Sequence, residues 1–123
     1  MAQPKLFKGI EEFNRREFWT CHETLEDLWR ADKGELNQFY QGLIHVAAGF
    51  VHVQKRNFTG AIERLRSGID KLAPYEPMTE GVELAKLNRE TYRALEEVRK
   101  LGRFHLDKFD DTLYPRIVYR HLA

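Results

Sequence analysis

A histidine placed one helical turn before a glutamate is the pair of residues in this chain best suited to chemistry. On a helix of about 100° per residue, His22 falls in an apolar stripe with Phe18, Leu25 and Trp29, and Glu26 falls at its margin. An imidazole among apolar side chains needs a polar partner, because an unsatisfied buried polar group costs a few kcal/mol. The spacing therefore predicts that His22 contacts a carboxylate, another polar side chain or a metal ion.

A second group of polar residues lies on the uncharged stretch 37–54, which the apolar spacing predicts to be a helix. Gln41 and His45 share one face of it, and two glycines seven residues apart flank that face, so that a neighbouring helix can approach closely. His52 lies on the same face, about 10 Å further along the axis, too far to join the same ion. We therefore expect a dry interface between two helices, formed by His22, Glu26, Gln41 and His45.

Two imidazoles and one carboxylate suit zinc or ferrous iron. His22, Glu26 and His45 are accordingly candidate ligands of a divalent metal ion, with Gln41 and Trp29 in supporting positions. The sequence matches the known metal-binding motifs of helices only in part. A metalloprotease needs His-Glu-x-x-His, and Glu26 stands where its second histidine belongs. Carboxylate di-iron bundles need paired Glu-x-x-His units, which the sequence lacks.

Two other interpretations stay open at this point. In one, the histidine, glutamate and glutamine side chains form a buried hydrogen-bond network that fixes helix register in a structural or protein-interaction module. In the other, His22 acts as a general base oriented by Glu26, although no nucleophile or oxyanion hole is evident. The sequence does not decide whether the protein is an enzyme. Cys21 lies on the apolar side of its helix, which indicates an inert core thiol.

Composition narrows the class of protein. The 123 residues carry 20 Lys+Arg against 19 Asp+Glu, a net charge of +1 that argues against a nucleic-acid footprint. A single cysteine, with no signal-peptide pattern at the N-terminus, predicts a cytoplasmic protein. The stretch 37–54 contains glutamines and histidines, so it is too polar to contact lipid. These features are compatible with either a monomer or a homo-oligomer.

Apolar periodicity predicts a single all-α domain over residues 1–123, a compact bundle of about five helices. The predicted helices cover about 5–17, 19–31, 35–55, a fourth capped by Asn57 or Thr59, and 79–101. Residues 103–123 are predicted to be irregular and, being apolar, to pack on the bundle. At an offset of 40, Phe18, Cys21 and Leu25 match Phe58, Ala61 and Leu65, which predicts two stacked helical hairpins around a buried central helix.

The pattern His22-x-x-x-Glu26-x-x-Trp29, with Phe18 and Asn14 before it, resembles a family of small bacterial and archaeal proteins known as domain of unknown function family 309. The resemblance continues through Phe39-Tyr40-Gln41-Gly42-Leu43-Ile44-His45-Val46-Ala47-Ala48 and Asn57-x-x-Gly60-Ala61. It implies an all-helical fold and a metal at the His-x-x-x-Glu-x-x-Trp motif, which falls on His22 and Glu26, with Trp29 completing it. It implies no activity.

Overall fold

Five α-helices account for most of the molecule, as the apolar periodicity predicts. The structure, a computed structural model, describes residues 3–120. The helices are α1 Pro4–Asn14, α2 Phe18–Ala31, α3 Asn37–Gln54, α4 Phe58–Leu72 and α5 Leu84–Leu101. The all-α fold class is confirmed. In the described part of the chain, no helix is long and apolar enough to cross a membrane.

The uncharged helix α3 lies at the centre of the bundle. It packs against α2 on one side and α4 on the other. Eleven of its 18 residues are buried. Because a helix without charged side chains has no strongly hydrated face, it can be enclosed by neighbours on most of its circumference. The prediction of a buried central helix is confirmed. Side chains of α2 and α4 pack against α3 from its two sides.

The two hairpins α1–α2 and α3–α4 repeat the same construction at an offset of 40 residues. Both turns contain an arginine in the left-handed region, Arg16 with φ 64° and Arg56 with φ 59°. The backbone N–H that follows each arginine donates to the carbonyl oxygen five residues earlier, at 2.9 Å in the first hairpin and 2.8 Å in the second. The left-handed turn ends α1 at Asn14, earlier than the predicted residue 17. The sequence echo thus corresponds to two stacked helical hairpins.

The start of α5 differs from the prediction. The periodicity suggested a helix from about residue 79, but Met78–Thr79 and Val82–Glu83 form a two-stranded antiparallel hairpin. Its turn has two left-handed residues, Glu80 with φ 50° and Gly81 with φ 80°. Since a helix cannot continue through such residues, α5 begins only at Leu84.

The segment after α5 is irregular and packs on the bundle as far as residue 120. It contains two short 3₁₀ turns and buries Leu106, Phe109 and Ile117. Asn14, at the end of α1, holds it through two hydrogen bonds: the amide donates to the Ile117 carbonyl oxygen at 2.9 Å and accepts from the Ile117 N–H at 2.7 Å. The last part of the predicted packing segment, 121–123, lies outside the described residues.

Replacing Asn14 by alanine should lower the free energy of unfolding by about 1–3 kcal/mol, because both backbone groups of buried Ile117 lose their partner. Urea unfolding measures the change, and limited proteolysis shows whether residues 103–120 become accessible. Gln54, which occupies the equivalent position of the second hairpin, is the matched control. Its one exposed hydrogen bond, to the Arg16 carbonyl oxygen at 3.3 Å, predicts a loss below about 0.5 kcal/mol for Gln54→Ala. Equal losses would show that Asn14 does not anchor the segment.

Candidate functional site

An open cleft lies along α3, between the side chains of α2 and α4. It encloses about 350 Å³. All five residues predicted from sequence for the site line this one cleft. The complete lining consists of Trp19, His22, Glu26, Trp29, Gln41, Ile44, His45, Ala48, Val51, His52, Lys55 and Arg64.

His22 and Glu26 are in direct contact, as their spacing predicts. His22 Nε2 lies 3.0 Å from Glu26 Oε1. The second oxygen, Glu26 Oε2, accepts from Arg30 at 3.1 Å, so both carboxylate oxygens are engaged. The side chains are 22% and 26% exposed. The expectation of a dry interface is therefore wrong for this pair, because both side chains are partly exposed and line the cleft.

His45 is held by α4 and makes no hydrogen bond to α2. Its Nδ1 lies 2.8 Å from Ser67 Oγ, and Arg64 Nη1 lies 3.4 Å from its Nε2. Because a guanidinium only donates, Nε2 must accept, and Nδ1 therefore carries the proton and donates to Ser67. Burial, with the positive charges of Arg64 and Lys71, lowers the pKa of His45 to about 4. The imidazole is neutral at physiological pH.

The depressed pKa of His45 predicts an acid-sensitive stability. An ordinary histidine pKa of about 6.5 applies to the unfolded chain, so between pH 6.5 and 4 the unfolded state binds more protons. The free energy of unfolding should therefore be unaffected by this group above about pH 6.5. It should fall by about 1–2 kcal/mol as the pH drops towards 4, after allowance for the partial exposure of the ring. Urea unfolding at pH 7.5 and 5.0 measures this loss.

His45→Gln should reduce the pH-dependent loss, while His105→Gln, which removes an exposed histidine of the C-terminal segment, should leave it unchanged. The same pH dependence in wild type and His45→Gln would contradict the assignment.

Gln41 lines the cleft but bonds along α3 and not across to α2. Its Oε1 accepts from Gln38 Nε2 at 3.1 Å, and Gln38 Oε1 accepts from Lys71 Nζ at 3.1 Å. Among residues 3–120, no hydrogen bond joins the His22–Glu26 pair to Gln41 or His45. The predicted polar residues thus line one cleft as three separate hydrogen-bonded groups. His22 and Glu26 form one group on α2, whereas Gln41 and His45 each belong to a group shared by α3 and α4.

The predicted metal ligands are not arranged around one point. Within the described residues, no group of three or more His, Cys, Asp or Glu side chains is placed to hold a metal ion. His22 and Glu26 supply two donors, whereas His45 is turned towards Ser67 and Arg64. As these side chains stand, the three predicted ligands do not converge on a single zinc or iron ion.

The tryptophan of the motif stands at one end of the cleft. Its backbone carbonyl accepts from Asn37 Nδ2 at 3.1 Å, which joins the end of α2 to the start of α3. Its indole Nε1 is buried and has no partner among the described residues. Lys33 Nζ lies 5.8 Å from the ring centroid. Trp29 therefore both fixes the α2–α3 junction and closes that end of the cleft.

Besides three apolar floor residues, sequence reasoning missed four residues that line the cleft: Trp19, His52, Lys55 and Arg64. Trp19 is 55% exposed, and its ring centroid lies 5.1 Å from that of His22 and 5.4 Å from Lys55 Nζ. His52 was set aside because one ion cannot reach it together with His45, yet a cleft that runs along α3 includes both. Arg64 enters from α4, and no local spacing relates it to the other residues.

The Asn57-x-x-Gly60 pattern has a structural reason at this cleft. Asn57 caps α4 by accepting from the Gly60 N–H at 3.0 Å. A Cβ atom on Gly60 would lie 2.6 Å from His52 Nδ1, which is closer than real side chains approach. Gly60 therefore leaves room for the His52 ring between α3 and α4. Burial, followed by the charges of Arg64 and Lys55, lowers the pKa of His52.

Cys21 lies outside the cleft in the apolar core. Its side chain is fully buried, and burial, with a smaller contribution from Glu12, raises its pKa far above the usual range. The thiol stays protonated, as an inert core cysteine does.

Comparison with known families identifies the segment that carries the cleft. Residues 6–63 match the model of the family described as domain of unknown function, DUF309. This segment belongs to the DUF309 family. The match contains the His-x-x-x-Glu-x-x-Trp motif and eleven of the twelve residues that line the cleft; Arg64 follows directly after it. No curated protein matches the chain significantly. The DUF309 description names no activity.

Proposed function

We propose that the DUF309 cleft binds a small organic molecule. The observation that carries the proposal is an open cleft of about 350 Å³ that gathers the motif residues of α2 and α3. This volume lies near the lower end of the range of about 300–1,000 Å³ that is typical of ligand pockets. The floor is apolar, formed by Ile44, Ala48 and Val51, and the walls carry imidazole, indole, amide and charged groups. Such a combination supports binding and orientation of a small ligand.

Unsatisfied polar atoms around the cleft support the same proposal. In the described part of the chain, six buried side-chain polar atoms have no protein partner, and three belong to cleft residues: His22 Nδ1, Trp29 Nε1 and His52 Nδ1. Each unsatisfied group costs about 1–3 kcal/mol. Half of the unsatisfied atoms thus belong to the twelve residues that line this cleft, and functional sites are one setting in which such costs persist.

A structural role predicts a different response to substitution. The His22–Glu26 pair lies on one helix and is partly exposed. Pairs of this kind contribute only about 0.3–0.5 kcal/mol. We therefore expect His22→Ala to lower the free energy of unfolding by less than about 1 kcal/mol, measured by urea unfolding. Leu25→Ala on the same helix is the control and should cost about 2–5 kcal/mol, because Leu25 is buried. A loss above about 2 kcal/mol for His22→Ala would instead favour the buried hydrogen-bond network that fixes helix register.

A divalent metal ion at His22, Glu26 and His45 is the second proposal. The contact of 3.0 Å between His22 and Glu26 in an open cleft supports it, and His45 would have to leave Ser67 and Arg64 to join them. Elemental analysis of untagged protein prepared without chelators tests it. Near-stoichiometric zinc, iron or manganese that disappears in Glu26→Gln but not in the exposed neighbour Glu23→Gln would support the metal. Metal-free wild type that takes up no added metal would contradict it.

The two tryptophans of the chain give a direct test of small-molecule binding, because both line the cleft. In a ¹⁵N–¹H NMR spectrum each contributes one indole N–H signal, and Trp19→Phe assigns them. We expect a library of small aromatic and heteroaromatic fragments to contain compounds that shift both signals in a saturable, concentration-dependent way. A library that shifts neither signal at millimolar concentration would contradict the proposal.

A further inference from the structure

Two cationic side chains in the cleft lack an acidic partner. Arg64 and Lys55 are its only lysine or arginine residues, and neither forms a salt bridge with any residue of the described range 3–120. Arg64 directs one N–H at the neutral imidazole of His45, 3.4 Å away. Lys55 lies over the Trp19 ring at 5.4 Å from its centroid. The donors of both side chains are therefore left without an anion.

The one carboxylate in the cleft does not compensate these cations. Both oxygens of Glu26 are engaged on α2, one by His22 and the other by Arg30. His45 remains neutral because burial and the nearby cations depress its pKa to about 4. Glu63, whose negative charge acts on His52, does not line the cleft. Among the lining residues the charge without a partner is therefore positive, and it attracts an anionic group while repelling a cationic one.

An aromatic wall stands beside these cations. The Trp19 indole is 55% exposed, unusual for so large an apolar side chain, and it lies at the cleft with the His22 ring 5.1 Å away at an angle of 36°. Below it, Ala48 and Val51 supply apolar floor. A flat ring can pack against the indole face while its apolar edge is removed from water.

We infer that the ligand is a planar aromatic carboxylate of one or two rings. Its carboxylate binds Arg64 and Lys55, and its rings pack against Trp19 above the Ala48 floor. The inference rests on the proposed function and names the ligand class for the same cleft. A guanidinium offers the paired N–H groups that match a carboxylate, and the ammonium of Lys55 adds a second charge-assisted donor. The volume of about 350 Å³ limits the aromatic part to one or two rings.

Three probes of nearly equal shape test the charge requirement: 2-naphthoate, 2-naphthylmethanol and 2-naphthylmethylammonium. Titration of each into the wild-type protein is followed by the indole N–H signals of Trp19 and Trp29. We expect 2-naphthoate to bind at least about tenfold more tightly than the alcohol, because its hydrogen bonds are charge-assisted, and the ammonium to bind most weakly. Inorganic phosphate serves as a competitor without rings and should displace 2-naphthoate poorly.

Arg64→Gln should weaken 2-naphthoate binding by about tenfold and leave 2-naphthylmethanol unchanged. Arg66→Gln is the matched control, because Arg66 is exposed on the same helix and does not line the cleft. Equal affinities for naphthoate and the alcohol, or equal effects of the two substitutions, would overturn the inference while leaving a ligand cleft in place. Phosphate competing as well as naphthoate would overturn its aromatic part. No response to any of the three probes would overturn the ligand class, and the fragment library then decides the proposed function separately.

Discussion

Gly68→Ala should lower the free energy of unfolding by about 1–2 kcal/mol. A Cβ atom at this position of α4 would lie 2.6 Å from Val46 Cγ2, 2.9 Å from the Val46 backbone nitrogen and 3.0 Å from the Gly42 carbonyl oxygen. Two of these atoms belong to the backbone of α3, so a rotamer change cannot relieve the contact. Overpacking of this kind costs about 1–3 kcal/mol and occasionally more, and the better helix propensity of alanine returns only about 1 kcal/mol. The closest approach of α3 and α4 therefore depends on this glycine.

Urea unfolding measures this loss, and Gly9→Ala provides the matched control. Gly9 is also buried in a helix, but a Cβ there would meet only the Leu25 side chain, with Cδ2 at 2.7 Å. Because a leucine side chain can shift, the cost should largely cancel against the propensity gain and leave a change within about 1 kcal/mol. Equal losses in the two variants would show that backbone contact between α3 and α4 is not what requires glycine at position 68.

Ala48→Leu should abolish ligand binding without weakening the fold. Ala48 is a half-buried residue on the floor of the cleft, so a larger side chain there extends into the cleft and occupies the volume that a ligand needs. We expect the affinity for any fragment that binds the wild type to fall at least about thirtyfold, which corresponds to about 2 kcal/mol. The free energy of unfolding should stay unchanged or rise by about 0.5–1 kcal/mol, as for other substitutions that fill a cavity.

Titrations followed by the indole N–H signals measure the affinity, and urea unfolding measures the stability. Ala31→Leu is the control: it makes the same change at an exposed position at the end of α2, outside the cleft, and should leave binding unchanged. Unaltered affinity in Ala48→Leu would show that ligands bind elsewhere on the molecule.

The helices could be predicted because their signals are local. The uncharged stretch of α3 and the Asn57 cap of α4 are visible in a few neighbouring residues, and the structure has both. The hairpin at Met78–Thr79 and Val82–Glu83 could not be predicted in this way. Strands of two residues show no alternation, and the pairing depends on two left-handed residues that are compatible with several turn types.

In the candidate site, too, the contacts within one helix could be predicted from the sequence and the contacts between helices could not. The contact between His22 and Glu26 follows from i,i+4 spacing on one helix, and the structure shows it. The partners of His45 are Arg64 and Ser67, which lie 19 and 22 residues further along the chain. Their position depends on the register of α4 against α3, which no local pattern specifies. The cleft itself could not be predicted for the same reason, because its lining comes from three helices whose relative positions no local pattern specifies.

We propose that the cleft along α3 binds a small organic molecule, and contacts between a ligand and the cleft floor are the decisive observation. Intermolecular nuclear Overhauser effects between the tightest-binding fragment and the methyl groups of Ile44, Ala48 and Val51 test it most directly, since these groups form the floor. We expect such contacts in the wild type and their loss in Ala48→Leu. A bound fragment that contacts none of these methyl groups, or that keeps its contacts and affinity in Ala48→Leu, would contradict it.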